Sequence, residues 1–87
     1  MADLNPALAS VLVGARQRLG MSQADAARKA GIENRQTVHA WERGVPPMAS
    51  NLRAYLDALE ATPDERRAAW AAFGIPESDL AEPPEAA

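Results

Sequence analysis

The sequence predicts an all-α fold, a compact bundle of five helices, and three observations lead to this prediction. The chain has 87 residues, which is enough for one domain with one modest hydrophobic core. Hydrophobic residues make up 47% of it but aromatic residues only 5%, and the many alanines favour close-packed helices over sheets. Glycines and prolines divide the chain into segments in which apolar residues recur at helical spacing.

The first two helices are bounded by start and stop signals. Asn5 followed by Pro6 is typical of a helix start, because Asn caps the first turn and Pro fits its first position. Apolar residues recur at helical spacing from there to Gly20. The second segment starts at Ser22 and ends at Gly31, and its apolar side consists of alanines. We therefore expect a short helix that packs closely against a neighbour.

The third helix is amphipathic and carries the functional prediction. It is expected over about residues 34–43 and ends at Gly44. Val38 and Trp41 lie on the side that should face the core, whereas the opposite side is polar and rich in hydrogen-bond donors. Together with the short helix and the Gly-containing turn before it, this segment describes a helix-turn-helix. From periodicity alone, an ordinary five-helix bundle with solvated polar faces fits equally well.

Two more helices and an acidic end complete the chain. After two prolines at 46–47, leucines and a tyrosine form the apolar stripe of a fourth helix. The fifth is expected at about 62–73, since Thr62 and Glu65 have the spacing of a capping box. Residues 76–87 are acidic and contain prolines, so they are expected to form a flexible tail.

The net charge of −3 is distributed unevenly along the chain. Residues 1–56 hold seven basic and four acidic side chains, whereas residues 57–87 hold two basic and eight acidic ones. This asymmetry fits a basic binding face followed by an acidic end. A solvated acidic tail without any function is about as common, so the charge pattern leaves both interpretations open.

Composition also excludes several classes of function. The chain has no cysteine and one histidine, so neither a disulfide framework nor a thiolate metal site is possible, and no cofactor is expected. It has no defensible Ser/His/Asp arrangement and no Gly-rich phosphate loop, so we do not expect an enzyme. No signal-like start and no run of about 18 apolar residues occur. A cytoplasmic protein without a membrane partner is the expectation.

Three segments resemble the Cro and lambda-repressor-like, or Xre-type, helix-turn-helix family. They are Arg16-Gln-Arg-Leu-Gly-Met-Ser-Gln23, Ala24-Asp-Ala-Ala-Arg-Lys-Ala-Gly31 and Thr37-Val-His-Ala-Trp-Glu-Arg-Gly44. The resemblance is specific, because Ala27 follows Gln23 by four places, Gly31 follows by four more, and a Trp-Glu-Arg-Gly exit completes the pattern. It implies a lambda-repressor-like bundle over residues 1–75, double-stranded DNA as partner, and a role in transcription regulation.

The resemblance also implies which residues read DNA bases. These positions are Arg35, Gln36, His39 and Ala40. Their chemistry suits the role, since Arg pairs with guanine, Gln pairs with adenine, and an Ala methyl contacts a thymine methyl. For His39 a plain surface histidine is about as good an interpretation as a base contact.

Other positions are implied to contact phosphates or to brace the helix. The phosphate-contacting positions are Gln23, Asn34, Thr37 and Arg43. Gln23 is also expected to brace the third helix. Arg16 and Glu42 match a family pair in which an arginine of the first helix meets the glutamate that ends the third, partly buried, and so locks the third helix in place.

The sequence departs from the family pattern at three places. The stretch from Gly31 to Trp41 is one residue longer than usual, so the first residue of the third helix is uncertain by one. The loop Val45-Pro-Pro-Met48 offers no cation for a phosphate. Met48 also occupies a position where Ser or Thr commonly caps the fourth helix.

Regulators of this kind usually bind two half-sites as dimers. The surplus apolar residues Trp70, Phe73 and Ile75 are the candidate patch for a C2 homodimer, and otherwise they complete the core of the monomer. We expect a repressor that acts on a palindromic operator. The alternative is an antitoxin or protein-binding adaptor of the same fold, which has a protein partner.

Overall fold

Five α-helices and no strand make up the part of the chain that the structure, a computed structural model, describes, which is residues 4–74. The helices are α1 (Pro6–Arg18), α2 (Gln23–Lys29), α3 (Arg35–Glu42), α4 (Ala49–Ala58) and α5 (Pro63–Phe73). The predicted all-α bundle of five helices is therefore confirmed. The acidic tail predicted at 76–87 lies outside the described residues.

Local side-chain chemistry starts four of the five helices. In each, a polar side chain accepts a hydrogen bond from a backbone amide of the first turn, at Asn5, Ser22, Asn34 and Thr62. Thr62 and Glu65 form the reciprocal capping box that their spacing predicts. The exception is α4, which begins after Met48 without a side-chain cap.

The described helices meet around an apolar core. Its buried residues are Leu8, Leu12, Ala15, Ala26, Ala27, Val38, Trp41, Leu52, Tyr55, Leu56, Leu59, Ala69 and Trp70. Val38 and Trp41 point inward as predicted, and the Trp41 ring meets Tyr55 edge to face with ring centroids 5.3 Å apart. This packing fixes which side of α3 faces away from the protein.

The turn between α2 and α3 settles the uncertain start of the third helix. Gly31 has a φ of +78°, which favours glycine, and it lets the backbone leave α2 sharply. The amide of Ile32 then donates to the carbonyl of Ala27 at 2.8 Å. Asn34 is extended and caps the next helix, so α3 begins at Arg35.

The fifth helix packs along α1 and completes the core. Trp70 is only 3% exposed, and its ring meets the half-buried Phe73 edge to face at 5.5 Å. The sequence left two roles open for Trp70, a dimer contact or a place in the core of the monomer. Its ring lies in the core of the single chain. Ile75, the third residue of the predicted dimer patch, lies outside the described residues.

Asn5 joins the ends of three helices. Its Oδ1 accepts from the amide of Leu8 at 3.1 Å, and its Nδ2 donates to the carbonyl of Ala72 at 2.9 Å. Its backbone amide donates to the carbonyl of Gly44 at 2.6 Å. The start of α1 is thereby tied to the ends of α5 and α3, and Leu4 is held beside Gly44. Within residues 4–74, no helix combines the length and apolar character needed to cross a bilayer.

Candidate nucleic-acid interface

The outward side of α3 gathers the residues that the sequence assigns to base reading. Arg35, Gln36 and His39 are exposed and Ala40 is half-buried, whereas Val38 and Trp41 of the same helix are buried. Arg43 follows the last helical residue and is also exposed. The inward packing of α3 is what holds this set of side chains towards solvent.

Two arginines on this side have no partner within residues 4–74. Six other cations of the described chain each form an ion pair with a carboxylate, and they are Arg16, Arg18, Arg28, Lys29, Arg66 and Arg67. By contrast, the guanidinium groups of Arg35 and Arg43 form no hydrogen bond or ion pair with any described residue. They stand at the start and just beyond the end of α3, about 12 Å apart along the axis at 1.5 Å per residue. The face therefore presents two uncompensated positive charges to an external partner.

The carboxylate of Glu42, the one acidic residue of α3, is turned inward and neutralised. Arg16 donates from Nε to Glu42 Oε2 at 2.6 Å and from Nη2 to Glu42 Oε1 at 3.0 Å. The two side chains are only 14% and 7% exposed. This hydrogen bonding to Glu42, against the opposing effect of burial, raises the pKa of Arg16 above its ordinary value. Arg16 also donates from Nη1 to the carbonyl of Met21 at 2.7 Å, so one guanidinium joins α1, the turn before α2, and α3.

Gln23 extends this network from the first residue of α2. Its Nε2 donates to Glu42 Oε1 at 2.9 Å and lies 3.5 Å from Nδ1 of His39. A side-chain amide carries two hydrogens, so one remains for His39 or for a DNA phosphate. Gln23 is thus placed both to brace α3 and to present a donor at its exposed face.

The remaining predicted phosphate contacts lie around the start of α3. Asn34 Oδ1 accepts from the amide of Gln36 at 2.7 Å, so the oxygen of Asn34 is committed to capping and its NH₂ group keeps its donors. Thr37 is half-buried. The helix start can therefore offer polar hydrogens, but from fewer atoms than the residue types alone suggest.

The sequence does not predict the apolar border that lies beside the end of α3. Leu4 and Val45 are 60% and 43% exposed and line a groove of about 360 Å³ beside the end of α3. No local pattern marks Leu4, because its position depends on the hydrogen bond that Asn5 makes to Gly44, some forty residues away in sequence. Met48 is exposed as well, and the loop from Val45 to Met48 presents no cation.

The geometry offers no sign of a metal centre in the part of the chain that is described. Residues 4–74 contain no group of three or more His, Cys, Asp or Glu side chains placed to hold an ion. The buried hydroxyl of Tyr55, whose pKa is raised by burial, lies inside the core and not in an open site.

Comparison with known families finds a match that covers most of the described helices. A helix-turn-helix family model matches residues 14–66, which run from the second half of α1 into the first turn of α5. Neither the search of curated proteins nor the search of solved structures found a match.

Proposed function

Because the chain belongs to the Xre and lambda-repressor-like helix-turn-helix family of DNA-binding regulators, we propose that it is a sequence-specific transcriptional regulator whose α3 enters the major groove. One observation carries this proposal. The exposed side of α3 has two arginines without an acidic partner in the described chain, while the helix's own carboxylate is turned inward. A polyanion that admits a helix into a groove about 12 Å wide is the partner that suits this arrangement.

Base reading is assigned to the exposed residues from the start to the middle of α3. Arg35 offers two parallel donors, which suit the O6 and N7 atoms of guanine, and Gln36 offers a donor and an acceptor, which suit adenine. His39 and Ala40 lie one turn later, where an imidazole and a methyl group contact the next bases. All four side chains belong to one helix that is packed in the core through Val38 and Trp41, so the backbone that carries them is held in place.

Phosphate contacts are assigned to residues around this unit. They are Gln23, Asn34, Thr37 and Arg43, and they position the protein without reading sequence. The pair of Arg16 and Glu42 has a different role, because it faces inward and joins α1 to the end of α3. We infer that it keeps α3 at the angle the groove requires.

We further propose that the protein represses transcription as a C2 dimer on a palindromic operator. One helix-turn-helix reads only a few base pairs, and two copies would place their third helices about 34 Å apart, one turn of DNA. The dimer contact proposed at the end of α5 now relies on Phe73 and Ile75, since Trp70 is buried in the core. Sedimentation at micromolar concentration tests this part, and a purely monomeric species would rule the dimer out.

The basic face itself is tested by salt-dependent binding to duplex DNA. Arg43→Ala should weaken binding to every sequence and reduce the slope of log K against log salt by about 1, because one phosphate contact is lost. Arg67→Ala is the matched control, since it removes the same charge from an exposed arginine of α5 that already pairs with Asp64. An equal loss of affinity in the two variants would assign binding to net charge and reject the proposed face.

A further inference from the structure

The groove beside the end of α3 combines apolar and cationic surface. It is lined by Leu4, Gln36, His39, Ala40, Arg43 and Val45. None of these residues is acidic, and the guanidinium of Arg43 has no partner among the described residues. The groove therefore suits an occupant that is apolar and also carries negative charge.

Backbone hydrogen bonds fix the apolar border of this groove. The amide of Val45 donates to the carbonyl of Ala40 at 3.0 Å, a bond that closes many helices just after a glycine. The amide of Asn5 donates to the carbonyl of Gly44, and this holds Leu4 beside Gly44. Leu4 and Val45 nevertheless remain exposed. Two apolar side chains are thus held in fixed places beside α3 without being covered by the described fold.

The floor of the groove belongs to the side of α3 that is proposed to face DNA. Gln36, Ala40 and Arg43 follow one another at spacings of four and three residues, so they form one stripe along the helix. Base contacts are assigned to Gln36 and Ala40, and a phosphate contact is assigned to Arg43. A duplex seated on this stripe therefore brings one strand of its backbone to Arg43, where the apolar border lies.

The sugar–phosphate backbone of DNA has the chemistry that this groove requires. A deoxyribose presents mainly carbon and hydrogen, and it is flanked by a charged phosphate on each side. A thymine methyl group, the apolar group of the major groove, is uncharged and much smaller than a groove of about 360 Å³. A deoxyribose with its phosphate is therefore the better match for apolar surface next to a free guanidinium.

We propose that Leu4 and Val45 pack against a deoxyribose of the strand whose phosphate Arg43 contacts. This inference rests on the proposed DNA-binding function and adds two positioning residues to it. The contact takes the place of a cation in the loop from Val45 to Met48, which has none. Burial of carbon surface releases no counterions and reads no base, so its contribution to affinity depends on neither salt nor sequence.

Salt-dependent binding of the full chain to duplex DNA separates this contact from those of the arginines. Leu4→Asn combined with Val45→Thr nearly keeps side-chain size and keeps net charge, but it removes apolar surface. We expect this double variant to bind every sequence about fivefold more weakly, the effect of leaving about 40 Å² of apolar surface uncovered. The slope of log K against log salt should stay unchanged, because no cation is lost.

Val13→Thr is the matched control, since it makes the same change in α1, outside the groove, and should bind like wild type. Unchanged affinity in the double variant, or an equal loss in the control, would overturn the proposal. A loss confined to some sequences would assign the border to a base, and a reduced salt slope would mean that Arg43 is displaced. Either result also overturns it.

NMR of the wild-type protein bound to duplex DNA is a second measurement that needs no variant. We expect NOEs from the methyl groups of Leu4 and Val45 to deoxyribose protons, and none from the core residue Leu12 to DNA. NOEs to thymine methyl protons alone, or no NOE to DNA, would overturn the contact and leave the proposed function standing. If the wild type binds no duplex, the proposed function fails and the contact fails with it.

Discussion

At the scale of single residues, Glu42 is where the fold and the proposed function meet. Its carboxylate accepts hydrogen bonds from Arg16 and from Gln23, so residues of α1 and α2 hold the last residue of α3. The spacing of Arg16 and Glu42 in the sequence already predicts this pair through the family resemblance. The second contact of Gln23, towards His39, depends on how α2 crosses α3, and no spacing along the chain reveals it.

Replacing this carboxylate should be costly. Glu42→Gln keeps the size of the side chain but leaves the largely buried Arg16 without a compensating charge, so we expect a loss of about 2–3 kcal/mol in the free energy of unfolding. Urea denaturation measures it. Asp64→Asn is the matched control, because Asp64 and Arg67 form a solvent-exposed pair that should contribute little. Equal, small losses in both variants would mean that the network does not hold α3.

At the scale of elements, the capping residues explain why the ends of most helices can be predicted to within a residue or two. Caps such as Asn5 and Thr62 act on the amides of their own first turn, so their effect is written in adjacent sequence. The start of α3 is less predictable, because it is not marked by adjacent sequence alone. Its position depends on the extended backbone of Asn34 and on the bond from Ile32 to Ala27.

The junction of α3 with the chain before α1 should be sensitive to one methyl group. Gly44 has a φ of +112°, and a Cβ there would lie 3.2 Å from Cβ of Leu4, so Gly44→Ala should lower stability by about 1–3 kcal/mol. Gly14 is helical, exposed and surrounded by open space, so Gly14→Ala should raise stability by about 0.5–1 kcal/mol. Thermal unfolding distinguishes the two, and stabilisation by Gly44→Ala would contradict the close approach of Leu4.

The contact between α1 and α5 should depend on pH. Arg18 donates to both carboxylate oxygens of Glu65 at 2.8–2.9 Å, and this lowers the pKa of Glu65 below its ordinary value of 4.5. A carboxyl group whose pKa is lowered on folding stabilises the protein above its unfolded pKa, and this contribution disappears as the pH falls through the folded pKa. The stability deficit of Glu65→Gln should therefore be present at pH 6 and shrink as the pH falls below 4.5.

Parallel denaturation of wild type and Glu65→Gln across this pH range measures the effect. Glu33→Gln serves as control, since Glu33 is exposed and no ion pair with a described residue involves it. A deficit for Glu65→Gln that persists unchanged at pH 2–3 would contradict the role of the ion pair, because Gln can keep the capping bond and a protonated Glu65 carries no charge.

At the scale of the whole molecule, the contacts that the sequence does not predict are those between residues far apart along the chain. Helices, their inward sides and the charged face follow from periodicity and capping, which act over one or two turns. Asn5 bonds to Ala72 across 67 positions and also to Gly44, and these contacts decide where Leu4 lies. Trp70 could equally have covered a second copy, because only packing of α5 on α1 places its ring in the core.

The central claim is that the outward side of α3 reads bases, and selection of bound sequences from random duplex DNA tests it most directly. Wild-type protein should enrich a palindromic site whose half-sites are about one helical turn apart. Arg35→Ala should lose about 1–3 kcal/mol on that site and lose the preference for guanine at one position in each half-site, with the other positions unchanged. No enrichment by the wild type, or an equal loss on every sequence in Arg35→Ala, would contradict the account.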